Sequence, residues 1–201
     1  MKIIGLTGQS GAGKGTVAAL FAEHGIPSVD ADAVYHELLL PPSPCLDELV
    51  NEFTDAILYE DGTLNRPALA TLVFEQSPKG KARHRRLNEI THRYVIERTV
   101  ALLAEYERQG CKAAIIDAPL LIEAGLHKKC DRVIAVLADR DIRIQRLMQR
   151  DGLNREQVCQ RLDAQPDISF YIEHADILIY NEGTEQELRS DLPSLLEEVL
   201  A

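Results

Sequence analysis

Ile3-Ile4-Gly5-Leu6-Thr7-Gly8-Gln9-Ser10-Gly11-Ala12-Gly13-Lys14-Gly15-Thr16 is the stretch on which the reading of the fold turns. A short apolar run enters a glycine-rich turn and leaves it in an amphipathic segment. Strand, turn and helix in that order are the context a phosphate-binding loop requires. The glycines let successive backbone N–H groups converge on phosphate oxygens, and the positive end of the following helix strengthens the attraction. Gly11, Ala12, Gly13, Lys14, Gly15 and Thr16 are therefore expected to cradle nucleotide phosphates. Lys14 reads as the cation at the β and γ phosphates, otherwise solvated and with little packing role. The usual loop carries Ser or Thr directly after its lysine, where the hydroxyl meets Mg²⁺. Here Gly15 holds that place and the hydroxyl comes one residue later, so Thr16 is expected to be a weak metal ligand at most.

Outward from the loop, short apolar runs alternate with amphipathic stretches, the pattern of a parallel sheet covered by helices. Ile3–Thr7, Ser28–Asp30, Ala113–Asp117, Arg132–Leu137 and Asp176–Tyr180 read as five strands. Helices are expected at Lys14–His24, Asp139–Arg150 and Glu185–Leu200. Between Ala33 and about Gln109 the patterns are mostly helical: Ser43-Pro44 reads as an N-cap and first-turn proline, Asp61-Gly62 as a turn, Asn65–Glu75 and Pro78–Gln109 as helices. The expectation is an α/β fold of the P-loop nucleoside-triphosphate hydrolase kind: one domain over residues 1–201, a parallel five-stranded sheet with helices on both faces. It carries a helical insertion (33–109) over the carboxyl ends of the strands, where such sheets bind ligands, and a lid over about 150–174.

Composition narrows the partners. The 201 residues are 45% hydrophobic and 27% charged, which is globular rather than disordered. A formal net charge of −10 disfavours general binding to nucleic acid. No apolar run approaches the roughly 20 residues that span a bilayer, and the start shows no signal-peptide pattern. Cys45, Cys111, Cys130 and Cys159 are scattered, which suits reduced thiols and a cytoplasmic protein rather than a disulfide framework or zinc cage. A monomer or weak oligomer is expected.

Three further features carry chemistry. Asp30-Ala31-Asp32 closes the second strand, where a carboxylate can orient an acceptor hydroxyl and take its proton during phosphoryl transfer. Asp32 reads equally as the cap of a helix starting at Ala33. Asp117 ends an apolar strand, as a Walker-B carboxylate does, and would hold the Mg²⁺ of ATP through water. Arg140, Arg143, Arg146 and Arg150 share about one third of a helix circumference. The first two read as a solvated face; Arg146 and Arg150, near the helix end, read as neutralising a transferring phosphoryl group. Together these features indicate an ATP-dependent small-molecule kinase. A GTP-dependent switch would need Asp-x-x-Gly and Asn-Lys-x-Asp motifs, and the chain has neither. A nucleoside monophosphate kinase stays open, since Gly15-Thr16 resembles the loop of adenylate kinases.

An ordered set of motifs resembles the dephospho-CoA kinase family over nearly the whole chain. It comprises Gly5-Leu6-Thr7-Gly8, the phosphate loop, Asp30-Ala31-Asp32, Asp61-Gly62-Thr63-Leu64-Asn65-Arg66, His92, and Pro119-Leu120-Leu121-Ile122-Glu123. Arg146-Leu147-Met148-Gln149-Arg150-Asp151-Gly152, Ala164-Gln165 and Ala175-Asp176 to Asn181 follow. The resemblance implies transfer of the γ-phosphoryl of ATP to the ribose 3′-hydroxyl of dephospho-CoA. By position it implies Asp32 as base or orienter of that hydroxyl, Thr7 and Arg146 at the transferring phosphate, Asn181 near the adenine, and Arg66 and His92 at the acceptor. The chain departs from the family pattern at His36, where arginine is common, and at Arg93, where proline is usual. It departs again over Pro166–His174, which contains no Lys or Arg.

Overall fold

The computed structural model describes residues 1–201. In chain order the elements are β1 (Lys2–Gly8), α1 (Lys14–Glu23), β2 (Ser28–Asp30), α2 (Ala31–Leu38), α3 (Pro44–Phe53) and α4 (Arg66–Val73). They continue with α5 (Pro78–Arg108), β3 (Ala113–Asp117), β4 (Arg132–Leu137), α6 (Arg140–Asp151), α7 (Arg155–Asp163), α8 (Ile168–His174), β5 (Ile177–Tyr180) and α9 (Glu185–Leu200). The strands form one sheet in the order β2-β3-β1-β4-β5. β1 runs parallel to β3, with Leu6 opposite Asp117, and parallel to β4, with Leu6 opposite Ile134 and Gly8 opposite Val136. The chain thus departs to opposite sides of β1, and its carboxyl end is the switch point where open α/β sheets bind ligands.

Two compact units divide the chain: Met1–Val29 with Leu103–Ala201, and Asp30–Leu102. In the first, alternate residues of the central strands serve opposite faces, as strand geometry requires. Ile4, Leu6, Ile134 and Val136 pack with Val17, Leu20 and Phe21 of α1 and Leu188 and Leu192 of α9. Ala135 and Leu137 pack the other way, with Ile122 and with Tyr171 of α8. Fully burying one such aliphatic side chain contributes about 1.5–3 kcal/mol, so this layer holds the loop above it on a rigid base. Ile144 and Leu147 of α6 meet Val158 and Leu162 of α7 in a smaller cluster.

The second unit is helical around one apolar cluster of its own. Leu49 and Phe53 of α3, Leu69 and Val73 of α4, and Leu87 and Ile90 of α5 are buried there with Ile57. Ser43 caps α3, Oγ accepting from Leu46 N–H, with Pro44 in the first turn; Asn65 caps α4 in the same way at Ala68 N–H. Side-chain caps of this kind contribute about 1 kcal/mol each.

Two expectations from sequence need correction here. The helix after β2 begins at Ala31, not Ala33, and its cap is Asp30, whose Oδ1 accepts from the N–H groups of Asp32 and Ala33. Arg143 is no solvated residue: it is 7% exposed, with Nε donating to the Ala138 carbonyl oxygen. The i, i+3 spacing placed it beside Arg140, but the α6 backbone at Arg143 packs directly against Gly11 of the β1–α1 loop.

Candidate active site

The loop between β1 and α1 has backbone that only glycine adopts without strain. Gly11 and Gly13 have φ of 80° and 97°, and a Cβ on Gly8 would collide with the Val136 carbonyl oxygen of the adjacent strand. Gly13 is the N-cap of α1, and its carbonyl accepts from Thr16 and Val17 N–H. Lys14 and Gly15 therefore start the helix with their own N–H groups in the orphan positions of the first turn, the groups that bind anions. Nothing lies within 4 Å of a Cβ built on Gly15.

Lys14 Nζ donates to Asp117 Oδ1. The lysine and the carboxylate are 20% and 11% exposed, so the pair sits largely out of water. Lys14 is thus held in a contact, contrary to the expectation of a solvated residue. Thr7 is fully buried, and its hydroxyl donates to the Pro119 carbonyl oxygen at 3.2 Å, tying β1 to the segment after Asp117.

Arg146 and Asn181 meet the loop at its carbonyl oxygens. Arg146 Nη1 lies 3.5 Å from Gly11 O, 3.4 Å from Ala12 O and 2.9 Å from Asn181 O. Asn181, 8% exposed, donates from Nδ2 to Ala12 O at 2.8 Å. Gln165, after α7, accepts the Ser10 N–H on Oε1 at 3.0 Å. Arg150 is exposed and forks onto Asp151, whose second oxygen also takes Arg161. These cations hold the Asp151 carboxyl below its ordinary range, the Arg150 hydrogen bond contributing most.

A pocket of about 540 Å³ opens beside the loop, lined by Gln9, Arg143, Gln165, Tyr180 and Glu182 among others. Burial lowers the pKa of the Arg143 guanidinium there, the Arg140 charge adding to the effect.

In the second unit, Asp32 is exposed on the first turn of α2. Because Asp30 does the capping, the Asp32 carboxylate is not consumed by its own helix. Arg66, exposed at the start of α4, donates from Nη2 to His36 Nδ1 at 2.9 Å. His92 is exposed on α5 beside buried Thr91.

Residues 2–187 match the family model for dephospho-CoA kinase. The chain belongs to the dephospho-CoA kinase family. It is 41% identical to a dephospho-CoA kinase of Corynebacterium efficiens over 98% of this chain and 96% of the relative. It is 35% identical to that of Geobacillus kaustophilus, over 97% and 95%. Among solved structures, the Thermus thermophilus protein TT1252 superposes with a TM-score of 0.80 at 32% identity, covering 98% of this chain and 97% of the other. A shikimate kinase of Acinetobacter baumannii, 19% identical with a TM-score of 0.51 over 98% and 94%, shows the same fold and nothing more.

Within this dephospho-CoA kinase framework, the sequence-expected residues fall into two groups. Thr7, the 11–16 loop, Asp117, Arg146 and Asn181 gather around the carboxyl end of β1 in the first unit, with Arg150 further along α6. Asp32, Arg66 and His92 belong to the second. Sequence reasoning gave Gln165 no task although Ala164-Gln165 was part of the resemblance, and it missed the Arg66–His36 contact. Neither follows a local rule, since the partners are 155 and 30 residues apart. No helix is long and apolar enough to cross a membrane.

Proposed function

We propose that the chain transfers the γ-phosphoryl of ATP to the ribose 3′-hydroxyl of dephospho-CoA, giving coenzyme A and ADP. The observation that carries this reading is the family match over residues 2–187 on a chain whose β1–α1 loop has phosphate-cradle geometry. The loop's first-turn N–H groups bind the ATP phosphates, and Lys14 exchanges Asp117 for β- and γ-phosphate oxygens. Asp32 accepts the proton of the 3′-hydroxyl as its oxygen forms a bond to the γ phosphorus. The bond from that phosphorus to the β–γ bridging oxygen breaks, and the electron pair leaves on ADP. Because such transition states spread charge over phosphoryl oxygens, catalysis rests on positioned cations more than on covalent chemistry. Arg66 and His92 are proposed to hold the acceptor.

Mg²⁺ enters the reading through the chemistry of the donor set. The chain offers Asp117 and the Thr16 hydroxyl, both oxygen donors, and no cluster of three or more His, Cys, Asp or Glu that could hold a metal. That set fits a hard cation carried mainly by phosphates and water, with Asp117 outside its inner shell. Bound there, the ion would neutralise phosphate charge.

Arg150 and the turn between α6 and α7 are proposed as the closing part of the lid. Tyr171, 1% exposed and packed against β4 residues, anchors the α8 end of the 150–174 stretch to the sheet. Val158 and Leu162 hold α7 against Ile144 and Leu147 of α6, which leaves the exposed Arg150 side chain and the turn at residues 152–154 as the portion able to move. Mass spectrometry of dephospho-CoA incubated with the protein and Mg-ATP should show a product one phosphoryl group heavier, carrying it on the ribose 3′ oxygen. Phosphorylation elsewhere, or none, would reject the reading.

A further inference from the structure

We propose that Asn181 is a positioning residue that sets the direction of the phosphate loop's N–H groups, rather than a contact for adenine. This rests on the phosphate-loop part of the reading above and not on the identity of the acceptor.

A trans peptide is planar, with its C=O and N–H pointing in opposite directions. Fixing the Ala12 carbonyl therefore fixes the Gly13 N–H. Asn181 Nδ2 donates to that carbonyl, with Arg146 Nη1 at the same oxygen. The Gly13 N–H is thereby turned to the opposite side, toward the first-turn N–H groups of α1. Ala12 is fully buried, so without Asn181 its carbonyl would lose its best-placed partner. Glycine at 11 and 13 makes the loop pliable, and a pliable loop needs an outside restraint to keep a concave set of donors.

Asn181 is itself restrained. Its backbone N–H donates to Leu137 O at 2.8 Å and its carbonyl accepts from Arg146, so its side chain projects from the end of β5 in one direction. A Cβ on Gly13 would collide with Asn181 Nδ2, which explains why the loop and the asparagine fit only as a pair. Gln165 holds the other end of the loop through Ser10 N–H. Two segments far along the chain thus tether the loop, one at the Ala12 carbonyl and one at the Ser10 N–H.

The test compares a ligand with adenine and one without. Full-length Asn181→Ala and the isosteric Asn181→Asp are titrated calorimetrically with Mg-ATP and with magnesium tripolyphosphate. Losing one buried hydrogen bond to the loop should weaken both ligands by the same factor, about tenfold, with ligand-free circular dichroism unchanged. An adenine contact would weaken ATP alone and leave tripolyphosphate unaffected, which overturns the proposal. So would unchanged affinity for both, a wild type that binds ATP but not tripolyphosphate, or loss of the folded state in both variants. The titrations use no acceptor, so inactivity toward dephospho-CoA would leave their result readable.

Discussion

Lys14 of the phosphate loop is paired with Asp117 at the end of β3, joining the start of α1 to the strand beside β1. The pair compensates two charges largely removed from water, and under the proposed function incoming phosphates compete with Asp117 for the lysine. Removing Lys14 takes a charged partner from a carboxylate that is largely out of water, which is costly. We therefore predict that Lys14→Ala lowers turnover by about 10²–10³-fold, the usual effect of losing a transition-state charge partner. It should also lower the thermal midpoint of the nucleotide-free protein in calorimetry. An unchanged midpoint would mean that the pair carries no stability.

Asp30 caps α2, whereas Asp32 is proposed to take part in the chemistry. Asp30→Ala removes the cap of α2 and should cost about 1 kcal/mol of stability in a urea titration. Asp32→Asn leaves that cap in place and should lower turnover by about 10²-fold with little effect on stability. If instead Asp32→Asn keeps full turnover while Asp30→Ala loses it, the two roles are exchanged.

Gly13 and Gly15 are close in sequence and opposite in tolerance. Gly15→Ser meets open space and should retain ATP affinity. Gly13→Ala needs a left-handed alanine whose Cβ strikes Asn181, and should abolish measurable ATP binding. Equal affinity for the two variants would contradict the loop geometry described above.

Acid should weaken the fold through exposed capping carboxylates. The Thr184 N–H and hydroxyl hold the Glu187 carboxyl below its ordinary value of 4.5, and the Ser169 hydroxyl with the Ser169 and Phe170 N–H groups does the same for Asp167. A depressed folded pKa stabilises above the unfolded value and fades as pH falls through the folded one. The thermal midpoint is thus predicted to hold steady down to about pH 4.5 and fall below it. The fall should be shallower in Glu187→Gln. A midpoint that dropped equally in wild type and Glu187→Gln would remove this cap from the explanation.

Much of the fold is legible in the sequence because the sheet is built from nearly pure signals. Four of the five strands are buried enough to read as apolar runs, and Ser43-Pro44 and Asn65 announce their helices through side chains that cap locally. Asp32 was harder, because a helix start one turn away can be capped from Asp30 or Asp32, and only backbone angles decide between them. Arg143 misled because helical spacing tells which residues share a face but not what later covers it. The tethers on the loop could not be read at all. Asn181 to Ala12 and Gln165 to Ser10 are meetings of distant segments, produced by strand order and invisible to any local pattern. The same holds for Lys14 and Asp117, whose pairing follows from β1 and β3 lying side by side.

The most direct measurement is kcat/KM for ADP release by the purified protein with Mg-ATP, comparing dephospho-CoA with AMP and CMP as acceptors. The value for dephospho-CoA is predicted to lie at least about 10³-fold above either nucleotide, the discrimination expected when a site is built to bond its own acceptor. Turnover with AMP or CMP that equals or exceeds turnover with dephospho-CoA would contradict it.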